Sequence, residues 1–119
     1  MTLKECYLAL EGDYESVLSR MMTEKLVARF IIKFLDDDSF SNLAKSMKEA
    51  DYDEAFRAAH TLKGICQNLS FDKLLGSAVS ITEALRNKNT DEALLLFPQV
   101  ETDYVQTVSA IKEFMRSAS

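Results

Sequence analysis

Turn-forming residues are scarce in this chain: its 119 residues include three glycines and one proline. A protein of many strands reverses direction far more often than those residues allow, so helices are the expected architecture. The two cysteines, Cys6 and Cys66, stand far apart and form no Cys-x-x-Cys pair, which argues against a zinc or thiol-redox motif. Long apolar runs are missing too; none approaches the roughly 18 residues of a membrane span. The opening Met1-Thr2-Leu3-Lys4-Glu5-Cys6 does not read as a signal peptide. No glycine-rich phosphate loop is present, so ATP binding of the kinase kind is not expected. Basic charge is in the minority, 14 Lys and Arg against 19 Asp and Glu, for a net charge of −5 and a pI near 4.9. A general nucleic-acid binder needs the opposite balance. The expectations are no nucleic acid, no membrane and a cytoplasmic location.

What is there reads as one domain over residues 1–119. Hydrophobic residues at 47% and charged residues at 28% are a globular balance. Residues 1–22 predict two short helices. The first runs from Leu3 to about Leu10 and ends at Gly12 as a left-handed residue; the second, through Tyr14, Val17, Leu18 and Met21, is capped by Asp13. Residues 23–117 predict a bundle. Thr23 caps a helix with the apolar face Leu26, Val27, Phe30, Ile31 and Phe34. Asp36-Asp37-Asp38-Ser39 breaks or kinks it as a solvated junction, and a continuation runs from Phe40 through Leu43, Ala44 and Met47 to about Ala50. Asp51 or Asp53 opens the central helix, Asp51 with Glu54 having capping-box spacing, and it ends near Asn68. Ser70 is read as the cap of the next helix, with Phe71, Leu74, Ala78, Ile81 and Leu85 inward. After the polar turn Asn87-Lys88-Asn89, Thr90 caps a last segment that carries Leu94, Leu95, Phe97, Val100, Tyr104, Val105, Val108, Ile111 and Met115. Pro98 is expected to kink or restart it. The fold expected is all-α: an antiparallel up-and-down four-helix bundle with two short N-terminal helices.

The stretch from Ala58 to Ser70 organises the rest. Ala55, Ala59, Leu62, Cys66 and Leu69 recur at four, three, four and three, the period of a buried seam. At about 100° per residue, His60, the chain's single histidine, lies about 140° from the seam's centre and faces outward. Lys63 follows three residues on, close enough to steady an anion on the imidazole. Gly64 lies almost opposite the seam. An exposed mid-helix glycine lowers helix stability by roughly 1 kcal/mol relative to alanine, which fits a place where another backbone comes close. A di-iron site fails, because Arg57 stands where a ligand glutamate is needed and His60 faces out; haem ligation inside the bundle fails for the same direction. Thr61 and Ser70 complete no hydrolytic triad. No metal site and no autonomous enzyme activity are expected.

Ala59-His60-Thr61-Leu62-Lys63-Gly64, followed by Asn68-Leu69, resembles the signature of histidine-containing phosphotransfer (HPt) domains of bacterial phosphorelays. The likeness extends over about Thr23 to Met115, and with so little chain beyond it a free-standing member is expected. The resemblance implies that His60 takes a phosphoryl group from a receiver-domain aspartate and passes it to another receiver. It implies Lys63 as the residue that steadies the phosphoryl oxygens and Gly64 as the point of close approach. The partners implied are receiver domains of response regulators or hybrid histidine kinases. They would bring Mg2+, so that the chain needs no cofactor of its own. Two positions depart from the family's pattern: Gln67 where a small residue is usual, placed to hydrogen-bond the phosphoryl group, and Ser70 where glycine is usual. Docking is expected on the face around His60, with Phe56 and Ile65 as apolar contacts, and the bundle is expected to act as a monomer. Two other readings stay open: an adaptor that docks receivers or kinases without carrying phosphate, and a plain helical interaction module.

Overall fold

A computed structural model describes residues 1–118; Ser119, the last residue of the expected 1–119 unit, lies outside the described residues. Seven helices follow in order: α1 (Leu3–Leu10), α2 (Tyr14–Met21), α3 (Glu24–Phe34), α4 (Ser39–Lys48), α5 (Tyr52–Leu69), α6 (Asp72–Arg86) and α7 (Thr90–Ala118). There is no strand among the described residues. The starts follow the chemistry of the sequence. Thr2, Asp13, Thr23 and Asp51 each accept a backbone N–H three residues on, which satisfies one of the orphan donors of a helix N-terminus.

Four expectations about the joints are corrected. The left-handed residue after α1 is Glu11, with φ of 57°, and not Gly12. Glu54 does not close a capping box; its carboxylate pairs with Arg57 at 3.1 Å instead. Ser70 does not cap α6. It is the left-handed C-cap of α5, with φ of 56°, so it occupies the conformation that favours glycine without being one. Asn89, not Thr90, caps α7: its side chain accepts the Glu92 N–H at 3.2 Å and donates to the Glu92 carboxylate at 3.0 Å.

The acidic junction is a true break. α3 ends at Phe34, and Asp37 turns its carboxylate onto the Ser39 N–H at 2.9 Å to start α4. Pro98 neither ends nor restarts α7, which runs through it as one element. Of the apolar residues of α7, Val100 and Ile111 are buried and Phe97, Tyr104 and Val108 pack against the core. Leu94, Leu95, Val105 and Met115 are exposed, while Ala93, Val100, Asp103, Thr107, Ala110, Ile111 and Phe114 are buried. Two polar residues hold core-facing positions because local partners satisfy them: Gln99 donates to the Asp103 carboxylate, and the Thr107 hydroxyl donates to the Asp103 carbonyl. In α3, Val27, Ile31 and Phe34 are buried as expected, but Phe30 is exposed.

α5 is flanked by α4 and α6, α6 packs on α7, α1 on α7, and α2 on α3. The predicted seam is the contact surface: Ala55, Ala59, Leu62, Cys66 and Leu69 are all buried. Small residues at two of those positions let neighbouring helices come close to α5. A continuous run of ring contacts joins Phe97, Phe40, Tyr104, Phe34, Phe71, Tyr7 and Tyr14, which ties α7, α4, α3, the α5–α6 joint, α1 and α2 into one core. With α5 held on two sides, its remaining face points to solvent.

Candidate functional site

His60 stands on that remaining face and is exposed. Its ring nitrogens have no hydrogen-bond partner among the described residues, and its one ring contact is with Phe56, stacked at 5.9 Å between centroids and 20° between planes. Phe56 itself is half-buried and packs on the core, so the expected docking residue is also the wall on which the histidine rests. The Arg86 guanidinium, brought by the last turn of α6, lies 5.3 Å from the centre of the Phe56 ring. Such a contact is worth about 0.5–1 kcal/mol at an exposed site. Nothing in the sequence joins Arg86 to His60, because the link runs through the α5–α6 packing.

Lys63 is half-buried and forms no ion pair among the described residues. Gly64 is exposed, and a Cβ built on it meets no atom within 4 Å. Its bareness therefore serves nothing inside the fold. Gln67, exposed, continues the same stripe one turn further. Ile65 goes elsewhere. It is half-buried and lines a groove of about 440 Å³ between α3 and α5, with Phe30, Phe34 and the acidic junction Asp36, Asp37 and Asp38. Of the expected residues, His60, Lys63, Gly64, Gln67 and Phe56 share one outward stripe, and Ile65 belongs to its flank.

The C-terminal end of the stripe is bounded by a residue the sequence did not point to. Arg20, in the last turn of α2, lines an open hollow of about 360 Å³ together with Gly64, Gln67 and Asn68. At the other end, Phe56 borders a groove of about 490 Å³ lined by Asp53 as well as Arg57, Arg86 and Lys88, with Arg57 paired to Glu54 and Arg86 to Glu83. Lys63 and Arg20 are thus cations of this face with no carboxylate partner among the described residues, and they favour an anion there. No group of three or more His, Cys, Asp or Glu residues converges to hold a metal ion among the described residues.

The cysteines take no part. Both are buried, Cys66 under the stripe and Cys6 with its thiol against the Ala110 carbonyl at 3.5 Å. Burial pushes the Cys6 thiol up to about 11 and raises that of Cys66 further, with the Asp37 charge adding to the latter. They stay protonated at neutral pH and behave as small apolar residues.

Nothing here encloses a substrate. A lone histidine on an open helix face, beside an unpaired lysine and a bare glycine, suits group transfer to a docked macromolecule. Residues 27–112 match the family model of the Hpt domain, and the chain belongs to that family. Hpt domains are, as a family, phosphocarriers of two-component signalling that interact with receiver domains. No curated protein and no solved structure gives a match to this chain. No helix among the described residues is long and apolar enough to cross a membrane.

Proposed function

We propose that this protein is a phosphorelay intermediate of bacterial two-component signalling, working in the cytoplasm as a monomer, with His60 as the residue that carries the phosphoryl group. A lone pair on an imidazole nitrogen attacks the phosphorus of a receiver's aspartyl phosphate. The P–N bond forms as the P–O bond breaks, and the electron pair returns to the aspartate carboxylate; reversal on a second receiver passes the group on. Transfer of this kind is mainly positioning and charge neutralisation. Lys63 supplies a cation to the phosphoryl oxygens, Gln67 an amide donor, and Gly64 the clearance for the receiver, which brings the Mg2+. The chain has no kinase or hydrolase activity of its own in this reading. Its scaffold is an up-and-down four-helix arrangement with α3 and α4 as one interrupted arm; the two-residue joint Ser70-Phe71 between α5 and α6 supports antiparallel neighbours.

The observation that carries the reading is the exposed His60 with Lys63 and a sterically idle Gly64 on one stripe, inside the Hpt-matched span. It is tested by adding the protein to a panel of receiver domains charged with acetyl phosphate and Mg2+. Wild type is expected to drain at least one receiver faster than its aspartyl phosphate hydrolyses, and Lys63→Ala to slow that drain roughly tenfold or more. Receivers that bind the protein yet keep their phosphate would rule the carrier out in favour of a docking adaptor.

A further inference from the structure

The first two helices lie outside the family-matched residues, yet they converge on the last turn of the helix that carries His60. The Tyr7 hydroxyl donates to the Leu69 carbonyl at 2.8 Å, and the Asp13 N–H to the Ser70 carbonyl at 2.9 Å. Arg20 donates from Nε to the Asn68 carbonyl at 3.1 Å, and from Nη2 to the Gln67 carbonyl at 3.3 Å and the Ser70 hydroxyl at 2.6 Å. The carbonyls at the end of α5, which an isolated helix would leave to water, are taken up by this segment.

Every acceptor of Arg20 is neutral. No carboxylate forms an ion pair with it among the described residues; Asp72 feels its charge without pairing. The result is a guanidinium fixed at three points, still carrying its charge, on the wall of the hollow it shares with Gly64, Gln67 and Asn68. The amides of Gln67 and Asn68 add further donors to that wall. A planar cation with amide donors beside it is a carboxylate receptor.

Position identifies the carboxylate's owner. Gln67 stands about 10 Å along α5 from His60 at 1.5 Å per residue, and Arg20, fixed on the Gln67 and Asn68 carbonyls and the Ser70 hydroxyl, lies beyond a phosphoryl group on the imidazole. It is well within a docked partner's footprint, since about 800 Å² per side corresponds to a radius of about 16 Å. The intervening surface is the bare Gly64. For a chain of net charge −5, a fixed cation here also offsets repulsion of an acidic partner.

We propose that Arg20 is a docking cation for the receiver: α5 holds its guanidinium in place, and it takes a carboxylate side chain from the receiver's surface beside the transfer site. This rests on the phosphorelay reading for the partner's identity. It makes α2 part of the docking surface and gives this chain a specificity element beyond the matched domain.

The test uses full-length protein and whichever receiver of the acetyl-phosphate panel binds wild type most tightly. Arg20→Met is expected to raise the half-saturating receiver concentration roughly 3- to 10-fold, leave the maximal transfer rate unchanged, and flatten the salt dependence of binding. Because Arg20 also ties down α5, Ser70→Gly is added to the same chain; glycine takes the left-handed conformation without strain. A double variant that regains the wild-type melting temperature but not the affinity supports the docking cation. Recovery of both, or wild-type affinity in Arg20→Met alone, overturns it. If wild type forms no phosphohistidine, the phosphorelay reading fails separately, and the receiver affinities of these variants by titration calorimetry still decide on Arg20.

Discussion

The His60 imidazole lies against the Phe56 ring, centroids 5.9 Å apart and planes within 20° of parallel, so the nucleophile rests on a wall anchored in the core. Stacked pairs contribute about 0.5–1.5 kcal/mol beyond their buried area. Phe56→Leu keeps an apolar body on the core and removes the flat surface. Its maximal transfer rate is expected to fall about 2- to 10-fold, at a cost in stability of about 1 kcal/mol. Rapid-quench transfer and thermal melts on the same preparation check both; an unchanged rate means the stack does not orient the ring.

Gly64 and Gly12 make opposite predictions. Nothing lies within 4 Å of a Cβ added at Gly64, so Gly64→Ala is expected to stabilise the protein by roughly 1 kcal/mol through helix propensity. The same methyl stands on the docking stripe, so transfer from the receiver slows. Stability and transfer moving in opposite directions is the signature, read by denaturant titration and transfer kinetics. If both rise, the clearance at Gly64 has no role.

At Gly12 the space is taken. An added Cβ would lie 2.5 Å from the Ser70 carbonyl oxygen, 2.7 Å from Leu10 Cδ1 and 2.9 Å from Tyr7 Cδ2. The oxygen cannot yield without weakening the Asp13 N–H bond that holds it. Gly12→Ala is expected to cost about 1–3 kcal/mol and to increase hydrogen exchange at Phe71 and Lys73, whose amides bond at this joint. A melting temperature equal to wild type would contradict the close approach.

These two glycines show how far the sequence reads. Period and direction were legible around His60, because the seam of Ala55, Ala59, Leu62, Cys66 and Leu69 is local and fixes the outward face. Contacts between distant segments were not. Arg20 reaches the backbone carbonyls of Gln67 and Asn68, 47 and 48 residues away, and no side-chain pattern marks a carbonyl as an acceptor. Ser70 differs for a related reason: serine favours helix starts, but here the bonds from Arg20 and Asp13 hold it left-handed at a helix end. Residue type does not mark the buried face of α7 either: the Asp103 carboxylate accepts from Gln99 and the Thr107 hydroxyl donates to the Asp103 carbonyl, so both enter the core, while Leu95 is left outside.

The buried thiols set an alkaline limit. The folded state holds Cys6 protonated up to about 11, against an ordinary 9.0, while the unfolded chain releases that proton earlier. Unfolding therefore releases protons, and stability, complete below about pH 9, falls as pH rises toward 11. Cys66 and Tyr7, both raised chiefly by burial, carry the loss further. Denaturant titrations from pH 8 to 11 should show the decline, with a shallower slope in Cys6→Ala. A flat profile would mean the thiol is not held protonated.

The central claim is that His60 carries the phosphoryl group. Wild type and His60→Gln are each mixed with a receiver charged by acetyl phosphate and Mg2+, and label on the carrier is followed through acid and alkali treatment. The account predicts label on wild type alone, lost in acid and kept in alkali as for a P–N bond, and located by fragmentation on the His60 peptide. Label that persists in His60→Gln, or a wild type that binds charged receivers and never acquires any, would contradict it.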